Sequence, residues 1–249
     1  MLDVFDHVGV AVSDLDASRP FYELALAQLG YGEPYRGDWY YEWDDLAIGQ
    51  AGSDRPATRN LHLALVASSR EAVDDWWQAL TAAGHADDGE PGPRPQYSPS
   101  YYGAFVHDPD GNSVEAVYRG EPRTGDNRLD HLGIRVRDLA ESRLFYETVA
   151  PVVGLRVADG DAARFHVRGD SRSFALVQGG PVTENVHLAF PAPDRAIVDA
   201  FHRAAIDAGF RDNGAPGERR EYHAGYYGAF VLDPDGNNVE AVFHDRSSA

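Results

Sequence analysis

Apolar and polar positions alternate along the first segment of the chain. From Phe5 to Val12, Val8, Val10 and Val12 point one way while His7, Gly9 and Ala11 point the other, which is the two-residue period of a strand. The alternation returns at 129–136, where Leu132, Ile134 and Val136 oppose His131, Gly133 and Arg135. The branched face belongs against a helix. The histidine face has mostly small neighbours and suits a concave, accessible surface, an arrangement that His62 with Ala64 and His187 with Ala189 repeat.

Helical spacing follows each strand. Residues 14–29 set Phe21, Leu24 and Ala25 on one side, residues 138–149 set Leu144 and Phe145, and Asp14 and Asp138 carry the acceptor side chains of N-caps. Pro20 is read in about the first turn, where a missing N–H costs least. Val73, Trp76, Trp77 and Leu80, matched by Val198, Phe201, His202 and Ala205, have the spacing of a buried stripe, and Gly84 and Gly209 fall where a C-terminal cap belongs. Short β-like runs lie at 39–43, 46–48, 163–167 and 174–177. Pro- and Gly-rich loops are expected at 90–95 and 215–217. Each half reads strand, helix, strands, and then the same again, which is an α+β pattern of two βαβββ modules per domain and four in the chain.

The halves are near-copies. Tyr101-Tyr-Gly-Ala-Phe-Val-His-Asp-Pro-Asp-Gly-Asn-Ser-Val-Glu-Ala-Val117 returns 125 residues later at 226–242, identical at fifteen of seventeen positions, and marks a tandem repeat. Domains are expected at 1–120 and 128–249, joined by a Gly-, Pro- and charge-rich linker at 119–127; roughly 120 residues is enough for a separate core. Inside the repeat, Asp-Pro-Asp-Gly-Asn looks like a calcium loop. Gly111 and Gly236 come one residue too early for that loop, so it is read as a tight turn whose second strand delivers Glu115 or Glu240.

The repeat also sorts the histidines. Of ten, only His7 with His131 and His62 with His187 recur at matching positions, so each half runs His, His, Glu. Two imidazoles and one carboxylate form the three-ligand set that holds Fe, Mn, Ni, Co or Zn as a divalent ion and leaves coordination positions open for substrate oxygens. The expected ligands are His7, His62 and Glu115 in one half and His131, His187 and Glu240 in the other. Of the paired tyrosines Tyr101/Tyr102 and Tyr226/Tyr227, Tyr102 and Tyr227 are expected as catalytic hydrogen-bond donors. Arg94 and Arg219 recur in the loops as candidate clamps for an anion, and Arg135 in place of Ala11 makes the two sites unequal.

Bulk properties narrow the partners. Forty-three per cent hydrophobic and 25% charged residues describe a globular protein. A formal charge of −18 without a basic patch speaks against nucleic acid and anionic membranes. Zero cysteines exclude thiolate nucleophiles and sulfur-ligated metals. With no apolar run of spanning length and no basic, apolar leader, the expected location is the cytoplasm.

Asp6-His-Val-Gly-Val-Ala-Val-Ser-Asp-Leu15, Phe21-Tyr22, His62, Asp-Pro-Asp-Gly-Asn and Glu115 together closely resemble the vicinal oxygen chelate superfamily, which groups glyoxalase I, bleomycin-resistance proteins, extradiol dioxygenases and fosfomycin-resistance transferases. The resemblance covers nearly the whole chain, twice. It implies paired βαβββ modules curling into an open, barrel-like mixed sheet with a divalent metal at its centre, and it places the six residues above on the family's ligand positions.

The chain departs from individual members. Where glyoxalase I adds a glutamate ligand, the strand carries Ala47, Ile48 and Gly49, or Ala175, Leu176 and Val177. Where extradiol enzymes place a tyrosine, it carries Phe105 and Phe230, and their acid/base histidine has no counterpart. The expectation is a metal-dependent enzyme that chelates a small oxygenated molecule, with dioxygenase or glyoxalase-type lyase/isomerase chemistry, as a monomer or homodimer. The alternative is a metal-free protein that sequesters a small molecule or drug, as bleomycin-resistance members do.

Overall fold

In a computed structural model, which describes residues 4–121, 128–160, 164–169 and 173–245, the strand β1 is His7–Val12. It is followed by α1 (Leu15–Gln28), β2 (Tyr35–Arg36), β3 (Tyr40–Trp43), β4 (Leu46–Gln50), β5 (His62–Val66), α2 (Arg70–Ala82), β6 (Asp87–Pro93), β7 (Tyr102–His107) and β8 (Ser113–Tyr118). The second repeat gives β9 (Leu129–Val136), α3 (Leu139–Val149) with a 3₁₀ turn at Ala150–Val153, β10 (Arg156–Asp159), β11 (Arg164–Arg168) and β12 (Ser173–Gln178). It ends with β13 (His187–Pro191), α4 (Arg195–Asp207), β14 (Arg211–Glu218), β15 (Tyr226–Leu232) and β16 (Asn238–His244). The four expected βαβββ modules of an α+β chain are present. Residues 122–127 of the expected linker and residue 163 of an expected strand lie outside the described residues.

Contacts gather the chain into two units, Gly9–Gly133 and Met1–Val8 with Ile134–Ala249. The division runs through β1 and β9, so the leading residues of each strand pair in one unit and the trailing residues in the other. In the first unit, strands follow the orders β1-β4-β3-β2 and β9-β5-β8-β7-β6; in the second, β1-β13-β16-β15-β14 and β9-β12-β11-β10. Both are mixed: β5 runs parallel to β8 and β13 parallel to β16, while the hairpin neighbours are antiparallel.

The helices cover the branched faces. Asp14 and Asp138 cap α1 and α3 by accepting from backbone N–H groups of the first turn, and Gly84 and Gly209 follow α2 and α4 at φ +92° and +88°, the left-handed stop that glycine favours. α1 buries Phe21, Tyr22, Ala25 and Leu26; Leu24 is only half-buried, and Leu144 on α3 is 58% exposed, with Phe145, Tyr146 and Val149 inside. The buried stripe is thus turned by a residue from the expected one. Trp77 and His202 likewise leave the cores of α2 and α4 and bond Asp87 and Asp212 on the edge strands, both at 2.9 Å. Pro20 lies in the second turn, on the exposed side of α1.

The runs expected as Pro- and Gly-rich loops fall largely inside strands. Pro91 and Pro93 belong to β6 and Pro216 to β14, which are edge strands with register shifts at Gly89 and Gly92, and at Gly214 and Gly217. An edge needs only half its backbone groups for pairing, so proline and bulges are tolerated there.

The Asp-Pro-Asp-Gly-Asn element is the hairpin turn between β7 and β8, and again between β15 and β16. Asp108, 4% exposed, accepts from the N–H groups of Asp110 and Asn112, from Asn112 Nδ2 and from the Tyr22 hydroxyl, at 2.8–2.9 Å. Burial pushes the equivalent Asp233 carboxyl up to about 6, partly offset by bonds from Asn237. Asp108→Ala strands these buried donors and is expected to cost about 4 kcal/mol. Chemical denaturation at pH 7 checks this, and a loss below about 1 kcal/mol contradicts the clamp.

Candidate metal centres

Three strands deliver the ligands in each unit. In unit Gly9–Gly133, Ala64 on β5 is paired with Glu115 on β8 and with His131 on β9, while His62 lies two residues earlier on the same face. Three polar side chains therefore converge over one small one. His62 Nε2 is 3.1 Å from Glu115 Oε2 and 3.3 Å from His131 Nε2, and His131 Nε2 is 3.7 Å from the same carboxylate oxygen. In the other unit Ala189 pairs with Glu240 and accepts from the N–H of Asp6. His187 Nε2 is 3.1 Å from both Glu240 Oε2 and His7 Nε2, with 3.8 Å between His7 and Glu240.

The sets are His62, Glu115, His131 and His7, His187, Glu240. This corrects the expected grouping of His7 with His62 and Glu115, and of His131 with His187 and Glu240. The cause is strand pairing: β9 contributes its histidine to the unit of the first repeat and β1 to that of the second. All six side chains are brought together, but each set takes one histidine from the other repeat.

Both sets suit a divalent ion. Three atoms at these separations lie on a circle of radius about 2.0 Å, so one ion can stand about 2.0–2.2 Å from all three, the ordinary bond length to histidine nitrogen and carboxylate oxygen. Glu115 and Glu240 are 1% and 0% exposed, and a buried carboxylate needs compensation. Glu240 Oε2 is buried without a hydrogen-bond partner and turned toward the two imidazoles, a lone pair aimed where an ion would stand. Each set supplies three donor atoms, fewer than a divalent ion's full coordination shell, and its two histidines are half-buried.

Neighbouring groups fix the ligands. Tyr101 and Tyr226 each donate to Oε1 of their glutamate at 2.7 Å, leaving Oε2 for the histidines. Burial first, and then the adjacent carboxylate, raise both phenols far above their ordinary value, so they remain donors. Asp130 Oδ1 lies 2.7 Å from His131 Nδ1, and Asp6 Oδ1 2.9 Å from His7 Nδ1. A proton held on Nδ1 leaves the Nε2 lone pair for a metal. Burial opposes ionisation of both aspartates, but bonds from His131 and Arg119 to Asp130, and from His244 and His7 to Asp6, outweigh it and hold both carboxyls well below their usual range.

The units differ at this outer layer. Arg119 grips both oxygens of Asp130 at 2.6–3.0 Å and lies 4.9 Å over the Tyr101 ring. In the other unit His244 takes that place, 3.0 Å from Asp6 Oδ2, with its ring stacked on His223. Behind the second histidine stand Ser113 at 3.3 Å from His62 Nδ1 and Asn238 at 2.8 Å from His187 Nδ1. This is one of the two positions at which the repeated segments differ.

Tyr102 and Tyr227, expected as catalytic hydrogen-bond donors, lie outside both sets. Their hydroxyls donate to Asp74 on α2 and Asp199 on α4, both at 2.8 Å, on the helix-covered side of the sheet. The ligand side carries Tyr101, just before β7, and Gly103 and Phe105 on it, the last with its ring 5.9 Å from that of His62; Phe230 is 6.2 Å from His187.

The sequence model of the Glyoxalase/Bleomycin resistance protein/Dioxygenase superfamily matches residues 4–116 and again 128–241. No curated protein matches the chain. Among solved structures, glyoxalase I from Zea mays is similar at 19% identity and TM-score 0.68, over 97% of this chain and 92% of that one. A mutant form of the same maize enzyme gives 21% identity, TM-score 0.69 and the same coverage. At such identity the likeness is one of fold.

Proposed function

We propose that this chain, which belongs to the Glyoxalase/Bleomycin resistance protein/Dioxygenase superfamily, is a divalent-metal-dependent enzyme that binds a small oxygenated molecule by two of its oxygens, with glyoxalase-type lyase/isomerase or dioxygenase chemistry. The observation that carries this reading is the convergence of two His-His-Glu sets, each with a buried carboxylate and two half-buried histidines. His62, Glu115 and His131 would hold one ion, and His7, His187 and Glu240 another. When bound, such an ion polarises chelated oxygens and lowers the cost of charge developing on them.

The remaining work falls to the chain itself. Tyr101 and Tyr226 hold the glutamates in one orientation, and Asp130 and Asp6 hold a proton on Nδ1 of His131 and His7. Phe105 and Phe230 set an apolar ring beside the second histidine.

Protein purified without chelators is expected to carry bound metal. Stripped protein is expected to gain a few degrees of melting temperature with Fe(II), Mn(II), Ni(II) or Zn(II), since an ion that binds only the folded state stabilises it. Absence of metal together with no thermal shift for any of the four rules this function out.

A second reading, sequestration of a small molecule without metal, draws support from a cleft lined by Tyr31, Tyr35 and Trp43 with Glu33, Glu42 and Asp44. Glu33 and Asp44 already face Arg36 and Arg128, and Arg128 lies 4.7 Å over the Tyr31 ring, so these groups show the affinity for a cation that a ligand displacing those arginines would use. Calorimetry with a cationic antibiotic on metal-free and metal-loaded protein separates the two readings, because sequestration requires binding to the metal-free form.

A further inference from the structure

The run Gly-x-Pro-Gly-x-Arg occurs twice, at residues 89–94 and 214–219. Its glycines make room on the ligand side of the sheet. Gly92 pairs with Gly103, whose own Cβ direction points at Glu115 Oε1, so the two glycines share the ligand face. A methyl group on Gly89 would come within 2.9 Å of the Phe105 ring, and one on Gly92 within 2.9 Å of Arg94 Nη1. At Gly214 and Gly217 the distances are 3.0 Å to Phe230 and 2.8 Å to Arg219 Nη1. Phe105 and Arg94 occupy the space that two missing side chains leave, and Phe230 and Arg219 do the same.

The arginine lies over the phenylalanine ring in that space. Arg94 Cζ lies 5.5 Å over the Phe105 ring, and Nη2 donates to the Glu90 carbonyl at 2.8 Å; Arg219 lies 5.4 Å over Phe230 and donates to the Ala215 carbonyl at 2.8 Å. Because Phe105 and Phe230 themselves pack on His62 and His187, each guanidinium stands two side chains from a proposed metal ligand. Among the described residues neither arginine has a carboxylate partner, whereas Arg59, Arg119, Arg143 and Arg195 do. In a chain with 40 acidic and 22 basic residues, a half-buried arginine without a carboxylate partner, whose Nη2 and Nη1 each donate to one backbone carbonyl at 2.8 and 3.4 Å and leave three of its five N–H groups for a ligand, is an anion seat already assembled.

We propose that Arg94 and Arg219 are the substrate-anchoring residues of the two sites, each binding a carboxylate, phosphonate or phosphate carried by the molecule whose vicinal oxygens face the His-His-Glu set. The substrate class is then a small oxygenated anion with its charge one spacer away from its chelating end. The anion seat stands on the arginines alone; its link to chelation rests on the function proposed above.

Two measurements keep these apart. In the first, methylphosphonate is titrated into metal-free protein while the arginine Nε–Hε resonances are followed, with those of Arg94 and Arg219 identified by their loss in R94A and R219A. Both resonances are expected to move to saturation, and to stop responding in G92A and G217A, where the added methyl displaces the guanidinium. Resonances that stay still overturn the proposal whatever the metal does.

In the second, Ni(II)-loaded protein is titrated with acetohydroxamate and with hydroxamates bearing a terminal carboxylate on spacers of two to four methylenes. One spacer is expected to bind about tenfold more tightly than acetohydroxamate, as one charge-assisted bond supplies, and R94A with R219A should erase the gain. An equal gain in the variants, or no gain at any length, overturns the anchoring role. Moving resonances with no nickel or hydroxamate bound would leave the anion seat standing and remove the metal reading alone.

Discussion

A chain carrying His7→Ala with His187→Ala is expected to bind one divalent ion, and a chain carrying His7→Ala with His62→Ala to bind none. His7 and His187 share one set, 3.1 Å apart, so the first pair of substitutions empties a single site and leaves His62, Glu115 and His131 untouched. His7 and His62 belong to different sets, and the second pair damages both. Losing one of three ligands removes about 4 kcal/mol of binding free energy, roughly a thousandfold in affinity, if structural ions gain about 10–16 kcal/mol from a full ligand set. Equilibrium dialysis with Zn(II) at micromolar concentration gives the stoichiometry. Grouping by repeat makes the opposite forecast, in which His7→Ala with His62→Ala retains one ion because His131, His187 and Glu240 stay whole. Finding that pattern would overturn the strand pairing that joins β1 to β13. All four histidines are only half-buried, so the variants should fold and the comparison should stay clean.

The same exchange shows where reading the chain alone stops. The two-residue period and the helix caps are local, set by side-chain direction and by N–H groups within a turn, and the strands and helices were legible from them. The six side chains that converge in the two sets were legible because duplication repeated them in register. Which histidine joins which glutamate was not. His7 and His131 sit in nearly the same local sequence, so either could complete either set, and only the long-range pairing of Ala64 with His131 and of Asp6 with Ala189 decides.

Tyr101 was missed for a different reason, and a signal for it did exist. Once Asp108–Asn112 is read as a hairpin turn, Phe105 falls opposite Glu115, and alternation then puts Gly103 and Tyr101 on the glutamate's face and Tyr102 on the other. The proline-rich edge strands hid themselves. Proline and glycine mark a loop by local rules, whereas β6 and β14 take their strand form from β7 and β15 beside them.

Gly103→Ala is expected to weaken metal binding in unit Gly9–Gly133 about a hundredfold and leave the other ion's affinity unchanged, with Gly228→Ala doing the reverse. A methyl group on either glycine would stand 2.5 Å from Oε1 of the ligand glutamate, well inside van der Waals contact. The carboxylate cannot simply yield, because Oε1 is held by the tyrosine hydroxyl at 2.7 Å. Turning it away breaks that bond and moves Oε2 off the histidines. Overpacking of this kind costs about 2 kcal/mol of stability, while the displaced ligand should weaken the ion by about a hundredfold, the upper end of what loss of a supporting contact does. Tyr101→Phe separates the causes. Alone it leaves Oε1 buried without a donor, for about 2 kcal/mol; combined with Gly103→Ala it frees the carboxylate to swing, so the pair should destabilise by less than the sum of the single changes. Melting curves and zinc titrations on the three variants test this together. Strict additivity with two ions bound at undiminished affinity would mean that glycine at 103 is not what keeps the glutamate in place.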